Sequence, residues 1–314
     1  MSDWVRLLDM LGVTPNRGAT DAQIDVFEAQ TGLTLPPELR ALYERSNGFT
    51  IKRRGLLRVH TLDEAANYAH ALDQAGIPHV WGYFPLTDRN DSNPHCVCCA
   101  GPVAGYVVRV NHDDVAQIEY RSIGSLLAAI RGVLEAPGGT NSDEGPSLWR
   151  LPQEFHPDTS DRTPEDIATA HRLLAFAETL EEGSIERADA ERWAITLFSE
   201  KEVAEVAHLL DTGDEYRRRE ALAKLSRMTA PDALAAVQQH RREMREFCRR
   251  VVDAIRDAGL TVAEVSQDEC PRIEPGHVWL NVPMFFTRRH SPTILADIVQ
   301  RARELIAYKT QDNA

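Results

Sequence analysis

Val80-Trp81-Gly82-Tyr83-Phe84-Pro85-Leu86 is the first of four strand-like runs whose spacing decides the architecture of this chain. Aromatic and β-branched residues dominate it, and the turn-rich stretch Thr87–Pro94 closes it. The runs that follow, about Cys96–Cys99, Gly105–Val110 and Ala116–Tyr120, are separated by Ala100–Ala104 and Asn111–Asp114. Short turn-rich connections of this kind predict an antiparallel meander.

Upstream, Ile24 and Phe27 share one face of a helix over 21–31, with Thr20 or Asp21 as N-cap and Gly32 as the stop. Leu35-Pro36-Pro37-Glu38-Leu39-Arg40-Ala41-Leu42-Tyr43 places proline in a first helical turn, where a missing N–H costs nothing, and Asn47-Gly48 suits the end of that helix. Leu56–His60 reads as a strand after the basic turn Lys52-Arg53-Arg54-Gly55, and Thr61-Leu62-Asp63-Glu64 opens a further helix. Ser122–Leu134 is the helix that completes an α+β domain over residues 1–135, with a mixed or antiparallel sheet and flanking helices.

Residues 136–163 are rich in Pro, Gly, Ser and Asp and read as a linker, interrupted by Trp149, Leu151 and Phe155, which point to partial packing on a neighbour. A second, mostly helical domain is expected over 164–314, with helices near 164–182, 187–198, 200–211, 214–228 and 231–258. The alternating segments Leu260–Val265 and His277–Val282 form a small terminal hairpin, and Pro292–Ala307 is a closing amphipathic helix.

The chain of 314 residues carries a net charge of -13, concentrated in residues 141–200, where 14 acidic residues face 5 basic ones. Such a surface repels phosphate backbones and anionic lipid, so nucleic acid is a disfavoured partner and a membrane is not expected. Met1-Ser2-Asp3-Trp4 lacks a basic leader, and no stretch approaches the ~20 apolar residues that span a bilayer, so a cytoplasmic protein is expected. Five cysteines, three of them at 96, 98 and 99, do not space as a secreted disulfide framework. Basic residues are mostly Arg, with Lys only at 52, 201, 224 and 309, the usage of a GC-rich bacterial genome.

Ile24-x-x-Phe27-Glu28, Leu35-Pro36-Pro37-Glu38-Leu39, Ser46-Asn47-Gly48, Trp81-Gly82-Tyr83-Phe84-Pro85-Leu86, Gly101-Pro102 with Gly105-Tyr106-Val107, and His112-Asp113-Asp114 follow one another in an order that resembles the SUKH superfamily across about residues 20–134. That superfamily includes the fungal cell-wall-synthesis regulator and many bacterial immunity proteins. The resemblance implies an α+β fold used to bind another protein, often a toxin, with no shared catalytic apparatus. The expectation is therefore an immunity protein or related adaptor, not an enzyme, with a C-terminal half that departs from the single-domain pattern.

Individual clusters fit that expectation. His95-Cys96-Val97-Cys98-Cys99 alternates its ligand atoms across two faces of a strand, so buried strand thiols are expected and no metal or cofactor. Adjacent Asp113 and Asp114 suit Asx hydrogen bonding in a turn. Asp88, Asn90 and Asp91 present loop oxygens without the twelve-residue calcium pattern. These residues, with Lys52, Arg53 and Arg54, are the candidate partner-binding set. The alternative function, a nucleic-acid-associated regulator, rests on Arg217-Arg218-Arg219, Arg241, Arg242, Arg245, Arg249 and Arg250 in the later helices and on Arg288-Arg289-His290 before the last one. This cationic face, partly neutralised by Glu243, Glu246, Asp253 and Asp257, is expected to meet either nucleic acid or, more simply, the acidic 141–200 segment. No Walker loop, dinucleotide fingerprint, nucleophile elbow or H-E-x-x-H is present.

Overall fold

A computed structural model describes residues 16–52, 56–77, 79–88, 93–110, 116–136, 147–148, 151–155, 161–212, 215–266, 271–274 and 278–311. The helices α1 (Asp21–Thr31), α2 (Pro37–Arg45), α3 (Leu62–Gln74) and α4 (Ile123–Glu135) accompany six strands in the N-terminal part of the chain. Local chemistry sets their limits. Thr20 caps α1 through a reciprocal box with Gln23, Thr61 does the same for α3 with Glu64, and Ser122 caps α4. Gly32 closes α1 at φ 70°.

Asn47-Gly48 does more than end a helix. The α2 helix stops at Arg45 with Ser46 already extended. The Asn47 side chain accepts the Leu62 N–H at 2.8 Å, which ties the end of α2 to the start of α3. Gly48, at φ 80°, lies so close to the backbone of His60 and Thr61 that a Cβ would sit 2.8 Å from the Thr61 nitrogen.

The strands β1 (Phe49–Ile51), β2 (Leu57–Val59), β3 (Tyr83–Asp88), β4 (His95–Cys98), β5 (Val107–Arg109) and β6 (Gln117–Tyr120) form one sheet in sequence order, and every pairing is antiparallel. The first strand, Phe49–Ile51, is too short to announce itself in the pattern. One face of the sheet, carrying Phe84, Leu86, Val97, Val107 and Tyr120, shares a core with Ile24, Phe27, Leu39, Leu42 and Tyr43 and with Leu126 and Ile130 of α4.

The opposite face is covered as well. Tyr83, Cys96, Cys98, Val108 and Ile118 are all buried there, beneath α5 (Pro164–Ala177) and α6 (Ile185–Leu197). Trp193 of α6 meets Trp81 at 4.7 Å between ring centroids and donates its indole N–H to the Ala116 carbonyl at 2.9 Å. The first compact unit accordingly runs to Phe198, two helices beyond the boundary that composition places at 136–163. Within that stretch Leu148 and Leu151 join the core of α1–α4, while Phe155 stacks near Tyr106 on the other side, so residues 151–155 pass around the β6 edge. The Glu154 N–H donates to the Glu119 carbonyl, blunting an edge strand that would otherwise offer open backbone groups.

The second unit, Ser199–Ala314, comprises α7 (Val203–Thr212), α8 (Glu215–Arg227), α9 (Pro231–Asp257), an antiparallel sheet of β7 (Thr261–Val265), β8 (Pro271–Glu274) and β9 (Val278–Trp279), a 3-10 turn at Val282–Arg288, and α10 (Ile294–Gln311). The expected hairpin gains the strand Pro271–Glu274 between its two arms. Phe247, Val251, Ile255, Phe286, Ile294 and Ile298 form its core.

Candidate partner-binding end of the sheet

Antiparallel order gives the β1–β2, β3–β4 and β5–β6 connections a common end. Ile51 pairs with Leu57, Thr87 with His95 and Arg109 with Gln117 where those hairpins turn. The sequence candidates therefore belong to three neighbouring connections: the basic tract 52–54, the Asp88–Asp91 stretch and the 113–114 pair. Lys52 is exposed, and Asp88, half-buried, stands opposite Arg58 in the β2–β3 register. Arg53, Arg54, Asn90, Asp91, Asp113 and Asp114 lie outside the described residues. Strands in a sheet are ~4.8 Å apart, so the described strand ends that lead into these three connections succeed each other along one end of the sheet.

Beneath this edge lies a buried polar chain that the sequence does not single out. The His95 ring places Nδ1 2.9 Å from the Thr87 hydroxyl and Nε2 3.0 Å from Glu119 Oε2, and Gln153 donates to Glu119 Oε1 at 2.6 Å. Tyr120 packs edge-on against the imidazole. Hydroxyl, imidazole and carboxylate in line are the components of nucleophilic catalysis, but Thr87, His95 and Glu119 are 1%, 0% and 3% exposed, which shuts them away from solvent-borne reagents. The chain instead joins β3, β4, β6 and the wrapping segment directly below the hairpins. Such a buried network is strongly orienting because each group left unpaired would carry a desolvation cost. The signal available in the sequence was polar residues inside otherwise apolar strands.

His60, near the same end, sets its Nδ1 3.2 Å from the Pro85 carbonyl and stacks on Tyr68, and burial holds its pKa below the usual histidine range. Cys96 and Cys98 are buried strand thiols that desolvation pushes well up, and Cys99, half-buried just past β4, is pushed up to about 12 by the same cause. Among the described residues no group of three or more His, Cys, Asp or Glu side chains is arranged to hold a metal ion.

The contact between the sheet and α5–α6 is of different chemistry. Arg121 donates to both oxygens of Asp166, at 3.0 Å and 2.6 Å, and also to Glu154, while the Tyr106 hydroxyl donates to Asp166 at 3.1 Å. Phe155 is held between the guanidinium groups of Arg121 and Arg162, 5.2 Å and 5.0 Å from its centroid. Desolvation raises the Asp166 pKa, but the bonds from Arg121 and Thr163 outweigh it and the net shift is downward. Asp189, paired with Arg192, goes the other way: desolvation prevails over the guanidinium and pushes it up to about 6.

On the helical side, a cleft of about 300 Å³ opens between the end of α1 and α3, lined by Gln30, Leu33, Asn67, His70, Asp73 and His79. His79 pairs with Asp73 within it.

A six-stranded antiparallel meander with α1, α2, α3 and α4 on one face defines an α+β domain whose hairpins gather at one end. Residues 18–129 match the SMI1 / KNR4 family (SUKH-1), so this stretch of the chain is a SUKH-1 domain. The match stops before the wrapping segment and the helices α5 and α6. No curated protein matches the chain. No helix among the described residues is long and apolar enough to cross a membrane.

Proposed function

We propose that this is a non-catalytic recognition protein that binds another protein at the hairpin end of its SUKH-1 sheet, as a bacterial immunity protein neutralising a toxin or as a related cytoplasmic adaptor. The observation that supports the reading is the sheet order, which gives the β1–β2, β3–β4 and β5–β6 connections a common end in a domain whose family fits protein recognition. Adjacent basic and acidic connections suit a partner of complementary charge order, which gains association rate and register from that match. The buried Thr87–His95–Glu119 chain supplies the rigidity that a preorganised surface requires.

The test is affinity purification of full-length protein from native lysate, wild type beside two loop variants. One carries Lys52→Glu, Arg53→Glu and Arg54→Glu, and the other Asp113→Lys and Asp114→Lys. A stoichiometric protein retained by the wild type and lost from both variants, with unchanged thermal unfolding, supports the reading. Retention of the same protein by both variants moves the binding surface elsewhere, and retention of nucleic acid in its place favours the regulator.

A further inference from the structure

The tertiary structure separates the arginines of the second unit by what their side chains meet. Arg218 and Arg289 turn inward around Phe286, at 5.7 Å and 4.2 Å from its ring centroid, and Arg289 pairs with Asp211 and Glu243. Arg217 is buried too, and Arg250 donates to the Arg289 carbonyl. Those side chains are committed to the fold. Arg241, Arg245 and Arg249 of α9 are exposed and make no hydrogen bond or ion pair with any described residue.

Four-residue spacing sets these three cations ~6 Å apart in a row along one side of the helix. Leu234, 58% exposed, and the exposed Gln238 lie on the same side. At ~100° per residue, all five positions fall within an arc of about 80°. The neighbouring strip of the helix carries Glu246, Asp253 and Asp257, with the exposed Arg242 at its border and Arg256 paired to Asp253. The exposed face of this 27-residue helix thus presents a cationic column, an apolar residue at its N-terminal end and carboxylates alongside.

We propose that this face of α9 docks an acidic helical segment of a partner protein. That segment would present carboxylates at one-turn intervals to Arg241, Arg245 and Arg249 and an apolar side chain to Leu234. The anionic strip selects this class of occupant over a polynucleotide. A second helix can place its own basic residues against Glu246 and Asp253, whereas a phosphate backbone carries one sign of charge everywhere and meets them unfavourably. Guanidinium forks match carboxylates bidentately, and Leu234 has an apolar counterpart only on a peptide. The inference stands on the second unit alone and does not depend on the hairpin end of the sheet.

The experiment is fluorescence anisotropy of the full-length protein with a labelled helical peptide bearing one Leu followed by Glu at one-turn intervals, alongside a labelled oligouridylate of matched charge. The wild type is compared with the variant Arg241→Glu, Arg245→Glu, Arg249→Glu and with the same three positions changed to Lys. The wild type is expected to bind the peptide more tightly than the oligouridylate at equal ionic strength. The Glu variant should lose about tenfold or more in affinity, and the Lys variant less. Circular dichroism melts should be unchanged, because all three side chains face solvent. Tighter binding of the oligouridylate, no peptide binding by the wild type, or equal peptide binding by the Glu variant would each overturn the proposal. Loss of the partner at the hairpin end leaves this result untouched, so the two readings fail separately.

Discussion

The two faces of the N-terminal sheet are covered by different means. On one, α1, α2, α3 and α4 contribute Ile24, Phe27, Leu39, Leu42, Leu126 and Ile130 to a continuous apolar core, and their ion pairs stay on the surface, as Arg40 does with Asp21 and Glu44. On the other, α5 and α6 bring aromatic rings together with buried charge: Trp193 on Trp81, Arg121 on Asp166, Arg192 on Asp189. The SUKH-1 match runs from residue 18 to residue 129, within α4, and takes in none of the second cover. Apolar packing tolerates rearrangement, whereas a buried ion pair is specific because breaking it strands a charge. The second cover is thereby fixed in one arrangement by chemistry that the first does not use.

The sharpest way to break this comparison is Trp193→Ala. If α6 is integral to the domain, losing the indole and its bond to Ala116 costs about 3–5 kcal/mol, read as a lower midpoint in denaturant; a change under ~1 kcal/mol would make α6 a loose appendage. Asp166→Ala leaves Arg121 with Glu154 as its carboxylate partner and the Tyr106 hydroxyl with only its longer 3.4 Å bond to Thr169, with an expected loss of about 3 kcal/mol. Retention of near-wild-type stability would show the latch to be dispensable.

The two carboxylates of the second cover should also respond to pH with opposite signs. Asp166, held below its ordinary pKa, adds stability above the unfolded-state pKa that disappears as pH falls through its folded value. Asp189, raised to about 6, binds its proton more tightly when folded, so its contribution is greatest at low pH and declines as pH rises from ~4 to about 6. Subtracting the stability of Asp189→Asn from that of the wild type across this window should give a fall of about 2 kcal/mol, and parallel curves would remove Asp189 as its source. The smallest effect belongs to the first cover: Arg40→Ala, on an exposed and solvent-screened network, should leave the denaturation midpoint nearly unchanged. A loss as large as that of Asp166→Ala would erase the distinction between the two faces.

The sequence by itself determined most of the elements and their local chemistry, short strands such as Phe49–Ile51 and Pro271–Glu274 excepted. Capping boxes at Thr20, Thr61 and Thr163, the glycine after α1 and the alternating strands are written in neighbouring residues, where interactions span a few positions and leave a period. The SUKH-like ordering was legible for the same reason. Only the tertiary structure decided that α5 and α6 belong with the sheet, that Leu151 and Phe155 carry the intervening segment around the β6 edge, that His95 answers to Glu119, and which arginines turn inward. Each of those facts pairs residues tens of positions apart, and a helix with an apolar face does not state which surface it will bury. That choice is made by the complementary charges and rings that folding brings opposite one another, as Asp166 meets Arg121 and Trp193 meets Trp81.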